Sequence, residues 1–138
     1  MTAPAHIDKL ALILVRDRKQ LVARSLGKSA FFTPGGKREV GESDISALIR
    51  ECKEELSVDL LQETIRPYTT PVFEAQAFGK PDGTMVRMTC FTSDYAGDIT
   101  PSNEIEEVRW IDSAFPHTNL SVTGVVILND LKARGLID

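Results

Sequence analysis

A three-layer α/β/α sandwich is the fold class this chain predicts, and three observations predict it. A continuous apolar run, Leu10-Ala11-Leu12-Ile13-Leu14-Val15, has the pattern of a strand covered on both faces. Two segments with helical character, Ser43 to Leu56 and Leu120 to Arg134, bracket further strands in chain order. Val72 to Phe78 and Thr84 to Tyr95 read as strands joined at Pro81-Asp82-Gly83, a strong turn signal. Strands with a helix on each side give the three layers of an α/β protein.

The elements follow in order. Leu10 to Val15 belongs at the centre of the sheet, because a strand with one wet face would alternate polar and apolar residues. Asp17-Arg18-Lys19-Gln20 turns the chain into a second strand, Leu21 to Arg24, and a polar loop, Leu26 to Ala30, leads to Phe31-Phe32. Pro34-Gly35-Gly36 then breaks the strand. Glu42-Ser43-Asp44 supplies capping chemistry and acidic charge for a helix from about Ser43 to Leu56, whose Ile45, Leu48, Ile49, Cys52 and Leu56 form the packing stripe. Beyond the hairpin, Val108 to Ile111 is a short strand entered through the acidic loop Ser102 to Glu107. The closing helix takes its cap from Thr118, Asn119 or Ser121 and stops before Gly135.

A chain of 138 residues, 42% hydrophobic and 26% charged, fits one globular domain, 1–138, with no repeat or linker to divide it. A net charge of −4 argues against a nucleic-acid polymer as partner, since tracking phosphates needs a basic stripe, but leaves room for a single nucleotide. Cys52 and Cys90 make no disulfide framework and read as buried small residues, which suits a reducing cytoplasm. No basic start with an apolar core precedes Asp8, and Leu10 to Val15 is too short to cross a bilayer, so neither export nor a membrane is expected.

The helix carries a second stripe. Glu51, Glu54 and Glu55 stand at i, i+3 and i+4, within an arc of about 100°, apart from the apolar face. Like charges so placed destabilise an isolated helix by about 0.2–0.5 kcal/mol per pair, which a bridging cation would relieve. Ligands that are all oxygen favour Mg2+ or Mn2+ over zinc.

The carboxylates sit in a wider pattern, Gly36, five residues, Glu42, seven residues, then Arg50-Glu51-x-x-Glu54-Glu55. It resembles the Nudix box, G-x5-E-x7-R-E-U-x-E-E-x-G-U with U aliphatic, over Gly36 to Val58. With each residue type at roughly 7% usage, matching its six fixed glycine and polar identities by accident has odds on the order of 10⁻⁷. Two positions depart. Cys52 replaces an aliphatic residue and keeps the packing stripe, while Ser57 replaces a glycine where a left-handed backbone is usual, at a cost of about 1 kcal/mol. No ligand is lost.

The resemblance implies the Nudix fold, a mixed sheet between two helices, and the family's hydrolysis of a nucleoside diphosphate linked to a group X. It also implies roles: Glu51, Glu54 and Glu55 as metal ligands with the carbonyl of Gly35, and Arg50 as a brace for the carboxylates. Relatives take the general base either from the first Glu of the Arg-Glu pair or from a later loop, which makes Glu51 the first choice here and Glu104 the second. Glu104 reads equally as one of a solvated acidic loop with Glu106 and Glu107. Glu42 combines dipole stabilisation with support of the ligands. His6 and His117 form no constellation, and no P-loop or dinucleotide glycine motif is present.

Outside the box the substrate is less legible. Phe115 to Asn119 resembles the segment of MutT-type triphosphate pyrophosphohydrolases in which an Asn reads a purine, and Asn119 is alternatively a helix cap. Arg24 is placed to meet a phosphate, and Phe31 or Phe32 to stack on a base or pack the core. Three readings stand: a magnesium-dependent hydrolase of a nucleotide such as a noncanonical nucleoside triphosphate, the same chemistry on ADP-ribose or a nucleotide sugar, and a non-catalytic nucleotide sensor. The expected partner is a small-molecule nucleotide, with a homodimer left open.

Overall fold

In the computed structural model, which describes residues 6–77 and 82–138, the chain runs β1 (His6–Leu12), β2 (Val15–Arg16), β3 (Lys19–Ser25), β4 (Phe31–Phe32), β5 (Gly35–Gly36), α1 (Asp44–Leu56), β6 (Asp59–Leu60), β7 (Arg66–Gln76), β8 (Met85–Thr92), β9 (Tyr95–Ala96), β10 (Ile105–Ile111) and α2 (Val122–Ala133). A mixed ladder, β5-β1-β8-β7, holds β1 parallel to β8 and antiparallel to β5. A parallel pair cannot be closed by a tight turn, so the long connection between its strands has room for α1. An antiparallel ladder, β10-β3-β2 with β4 also on β3, and a short β6-β9 pair complete the strands. The fold is therefore α/β with a mixed sheet, as expected, although the strands divide into three ladders.

The apolar run explains the layers. Leu10, Leu12 and Leu14 point into one core with Ala47, Leu48, Cys52 and Leu56 of α1, while Ala11 and Ile13 point into the other with Ile127, Leu128 and Leu131 of α2. A strand whose alternate residues serve two cores has no wet face. Cys52 and Cys90 lie in different cores and both thiols are free. Each fully buried leucine contributes about 1.5–3 kcal/mol, so Leu48 and Leu56 outweigh the like-charge repulsion on the opposite stripe of α1. No helix among the described residues is long and apolar enough to cross a membrane.

Several boundaries differ from expectation. Val15 leaves the central strand and is exposed in β2, because Asp17 and Arg18 at φ 51° and 60° fold the chain into a hairpin at once. Gly35–Gly36 breaks nothing: it pairs with Leu10 and Ala11 of β1, and a Cβ on Gly35, at φ 141°, would stand 2.0 Å from the Leu10 carbonyl oxygen. The acidic loop is shorter than read, since β10 begins at Ile105 with a bulge before Glu107. β7 begins at Arg66 and β8 ends at Thr92, and β7 tolerates Pro67 and Pro71 because it lies at the sheet edge. At the hairpin, Pro81 and Phe78 lie outside the described residues, while the Asp82 side chain accepts from the Thr84 amide at 3.1 Å. Of the three cap candidates, Ser121 caps α2 by accepting from the Gly124 amide, and Thr118 and Asn119 do not. Gly135 follows the helix at φ 72°.

Ser43 caps α1 by accepting from Ser46, and Ser57 ends it in the left-handed conformation at φ 60°. Ser57 is partly compensated: its hydroxyl donates to Ser102 at 3.0 Å. Ser57→Gly should exchange relief of about 1 kcal/mol of backbone strain for a hydrogen bond of about 0.5–1.5 kcal/mol and leave stability nearly unchanged. Ser57→Ala keeps the strain and loses the bond, and should destabilise by about 1 kcal/mol in chemical denaturation. Equal midpoints for the two variants would contradict this.

Candidate active site

The second half of α1 meets Gly35–Gly36 on one side and the loop before β10 on the other. Gly36 matters for space: a Cβ there would lie 2.6 Å from the Glu51 carboxyl carbon. The amide of Gly35 donates to Glu55 Oε1 at 2.9 Å. At the helix end, Ser102 and Asn103 donate to the Glu54 carbonyl at 2.5 and 2.7 Å, satisfying an oxygen that the helix cannot. That contact sets Glu104, the next residue, beside the helix carboxylates. Glu51, Glu54, Glu55 and Glu104 together line a cavity of about 380 Å³.

Arg50 ties the preceding loop to the helix. Its Nε and Nη2 donate to the two oxygens of Glu42, both at 2.8 Å, in a bidentate pair. Its Nη2 also donates to the Lys37 carbonyl at 3.0 Å, and its Nη1 to Glu51 at 3.0 Å and Glu54 at 3.4 Å. Arg50 is held firmly charged by these carboxylates. The Arg50 hydrogen bonds, helped by the Glu39 amide, pull the Glu42 carboxyl down to about 2.

Glu55 is the opposite case. Burial pushes its carboxyl up to about 8; the Gly35 amide works against that shift, and the charges of Glu51 and Glu54 reinforce it. Burial also raises Glu51, against the pull of Arg50. Among the described residues no three His, Cys, Asp or Glu side chains are already gathered as a ligand shell, since Glu51 turns to Arg50 and Glu55 to Gly35. The donor set nonetheless fits a hard divalent cation: four carboxylates line one cavity, and burial, reinforced by the neighbouring Glu51 and Glu54 charges, makes the Glu55 carboxylate costly to ionise without a cation beside it.

A second cavity of about 590 Å³ shares Ser25, Glu51 and Glu55 with the first and adds Lys9, Lys28, Lys37, Phe32, Met88 and Ser121. Phe31 lines it too, but is 4% exposed, meets Phe115 edge-on at 5.5 Å and has Arg109 over its face at 4.9 Å, whereas Phe32 is half-buried. Arg24 lines neither cavity: it pairs with Glu106 and Glu107, each at 3.0 Å, and donates to the Lys28 carbonyl at 2.9 Å. Asn119 is exposed in the turn His117–Asn119 and lines neither cavity. His6 lies 3.9 Å from Glu74. Sequence reasoning missed the three lysines and the Ser102-Asn103 tether; Lys9, just before the apolar run, carried the one local signal, and the others depend on loop paths.

Glu42 acquires its low pKa only on folding, so it contributes stability that is complete above about 4.5 and is lost as pH falls toward about 2. Glu42→Gln should flatten that acid loss in pH-dependent melts. Arg50→Lys cannot form the bidentate pair and should lower turnover by about 10- to 100-fold without unfolding the protein; wild-type turnover in Arg50→Lys would contradict the tie.

A family model described as NUDIX domain matches residues 7–116, a span that holds the box and Glu104. No curated protein matches the chain in sequence. Among solved structures, a nudix hydrolase family member from Chromobacterium violaceum is 25% identical, with a TM-score of 0.68 over 97% of this chain and 79% of that one. The MutT NUDIX hydrolase from Burkholderia pseudomallei is 20% identical, with a TM-score of 0.69 over 90% and 96% of the two chains. A bifunctional NMN adenylyltransferase/ADP ribose pyrophosphatase from Francisella tularensis, complexed with AMP and a manganese ion, is 18% identical, with a TM-score of 0.65 over 97% of this chain and 43% of that one. With the box folded as a helix of clustered carboxylates braced by Arg50, this chain belongs to the NUDIX domain family and is a pyrophosphohydrolase.

Proposed function

We propose that residues 1–138 act as a single divalent-metal-dependent domain that hydrolyses a pyrophosphate bond in a nucleoside diphosphate linked to X, with a nucleoside triphosphate as the leading substrate. The observation that carries this reading is the junction of the two cavities at Glu51 and Glu55, acidic on one side and lysine-lined on the other. Glu51, Glu54, Glu55 and the Gly35 carbonyl would hold Mg2+ or Mn2+. The chemistry such an ion supplies is neutralisation of phosphoryl oxygens and easier ionisation of water. A structure likened above contains AMP and a manganese ion, which supports a nucleotide and a divalent ion at such a site.

The chain's own residues do the rest. Arg50 orients Glu51 and Glu54 and links them to the 37–42 loop through Glu42 and Lys37. Glu51 is the proposed general base, half-buried and raised by burial toward the range where a carboxylate accepts a proton, with Glu104 the second choice. Phe32 and Met88 offer apolar surface for a base, which moves the stacking role away from the buried Phe31. Neither Arg24 nor Asn119 is assigned a substrate contact, because neither lines the larger cavity. ADP-ribose or a nucleotide sugar is the second reading. The proposed setting is the cytoplasm, where two free thiols are chemically at home.

Phosphate release over a nucleotide panel, with and without magnesium, tests the proposal. Excess chelator should abolish turnover, and Mg2+ or Mn2+ should restore it; full activity in chelator would overturn the metal requirement. Because Glu55 must lose a proton to ligate, affinity for the ion should strengthen as pH rises toward about 8, with protons released on binding. Affinity independent of pH between 6 and 9 would contradict Glu55 as a ligand.

Glu55→Gln should cut kcat on the order of 10²-fold or more, the effect of losing several kcal/mol of charge stabilisation. Its stability should move the other way. A carboxyl raised from about 4.5 to about 8 destabilises the metal-free fold progressively as pH climbs through that window. Metal-free Glu55→Gln should therefore gain melting temperature on the wild type as pH rises toward 9, while remaining nearly inactive. Equal kcat in the two proteins would remove Glu55 from the site.

A further inference from the structure

We propose that Lys9 and Lys28 form a charge-selective subsite in the larger cavity, one that takes the additional phosphate of a nucleoside triphosphate in preference to the sugar of a nucleotide sugar. This deepens the reading above and rests on it. Lys9, on β1 opposite Met88, is half-buried, and Lys28 comes from the loop between β3 and β4; both line the cavity that Glu51 and Glu55 border. Among the described residues neither ammonium group has a carboxylate within ion-pair distance. Glu106 and Glu107 of β10, which face the same loop, are already paired with Arg24. Neither cation is held in an ion pair, Lys9 feeling only the charge of Glu55 across the cavity, so both are available to an incoming anion, and a terminal phosphate carries more charge to them than a neutral sugar does.

Arg24 becomes a positioning residue. Its guanidinium, fixed by Glu106 and Glu107, donates to the Lys28 carbonyl at 2.9 Å and so holds the loop that presents the Lys28 side chain. The residue read from sequence as a phosphate contact thus acts through a lysine that sequence reasoning passed over.

The test compares Lys9→Gln, Lys28→Gln, Arg24→Gln and the Arg24→Gln/Lys28→Gln double variant, each on a nucleoside triphosphate and on ADP-ribose with magnesium present. Each single change should raise KM for the triphosphate about 10-fold with kcat retained, and change KM for ADP-ribose by less than about 3-fold. The double variant should be no worse than Lys28→Gln, because Arg24 works through Lys28. Equal KM changes on both substrates, or fully additive losses in the double variant, would overturn the proposal. Calorimetry with inorganic tripolyphosphate gives a reading that needs no turnover. Binding that weakens in both lysine variants supports the subsite even if neither nucleotide is hydrolysed, an outcome that would sink the proposed reaction alone; binding unaffected by both changes overturns the subsite while leaving the reaction standing.

Discussion

Carboxylates crowded into one cavity without an equal number of cations are the constraint on which this structure turns. Glu51, Glu54, Glu55 and Glu104 line the same space, and the cation in direct contact with the group is Arg50, which is shared with Glu42. One guanidinium cannot neutralise this set. Two opposite pKa shifts stand on one short stretch of chain: Glu42, engaged by Arg50, falls, and Glu55, half-buried on the Gly35 amide, rises chiefly through desolvation, with Glu51 and Glu54 adding to it and Lys9 opposing it. A site in this condition is poised to take up positive charge, which is what hydrolysis at a polyanionic pyrophosphate requires.

The fold supplies the rigidity that makes such crowding tolerable. α1 is anchored by Leu48, Cys52 and Leu56 against the same face of β1 that receives Leu10 and Leu12, so its acidic stripe has one orientation. Gly35 and Gly36 are needed for close approach: one lies against the Leu10 carbonyl, the other against the Glu51 carboxyl. The far end of the helix is closed by Ser102 and Asn103, and this tether brings an acid from a distant loop to the helix acids. Stability and the proposed chemistry are thereby opposed at Glu55, whose desolvation costs the fold.

Legibility in the sequence divided along physical lines. Local periodicity was enough for β3, α1 and α2, because the burial of each face is written at 2- or 3.6-residue spacing, while the apolar run found only the buried end of β1, which begins at His6. The carboxylate stripe was legible for the same reason, and Arg50 was found by its place in the box. What failed depended on backbone conformation or on chain partners remote in sequence. Gly35–Gly36 reads as a breaker until β1 is beside it, and Asn119 reads as a cap until Ser121 is seen to accept from Gly124. Lys28 had no local signal, since the path of its loop depends on a hydrogen bond from Arg24 to the Lys28 carbonyl.

The most direct measurement is the carboxyl-carbon NMR titration of Glu55, first without metal and then with saturating magnesium. The account expects a metal-free midpoint near 8, far above an ordinary glutamate, and an ionised carboxylate at neutral pH once the ion is present. A Glu55 that titrates near about 4.5 and is indifferent to magnesium would contradict both the crowding and the site built on it.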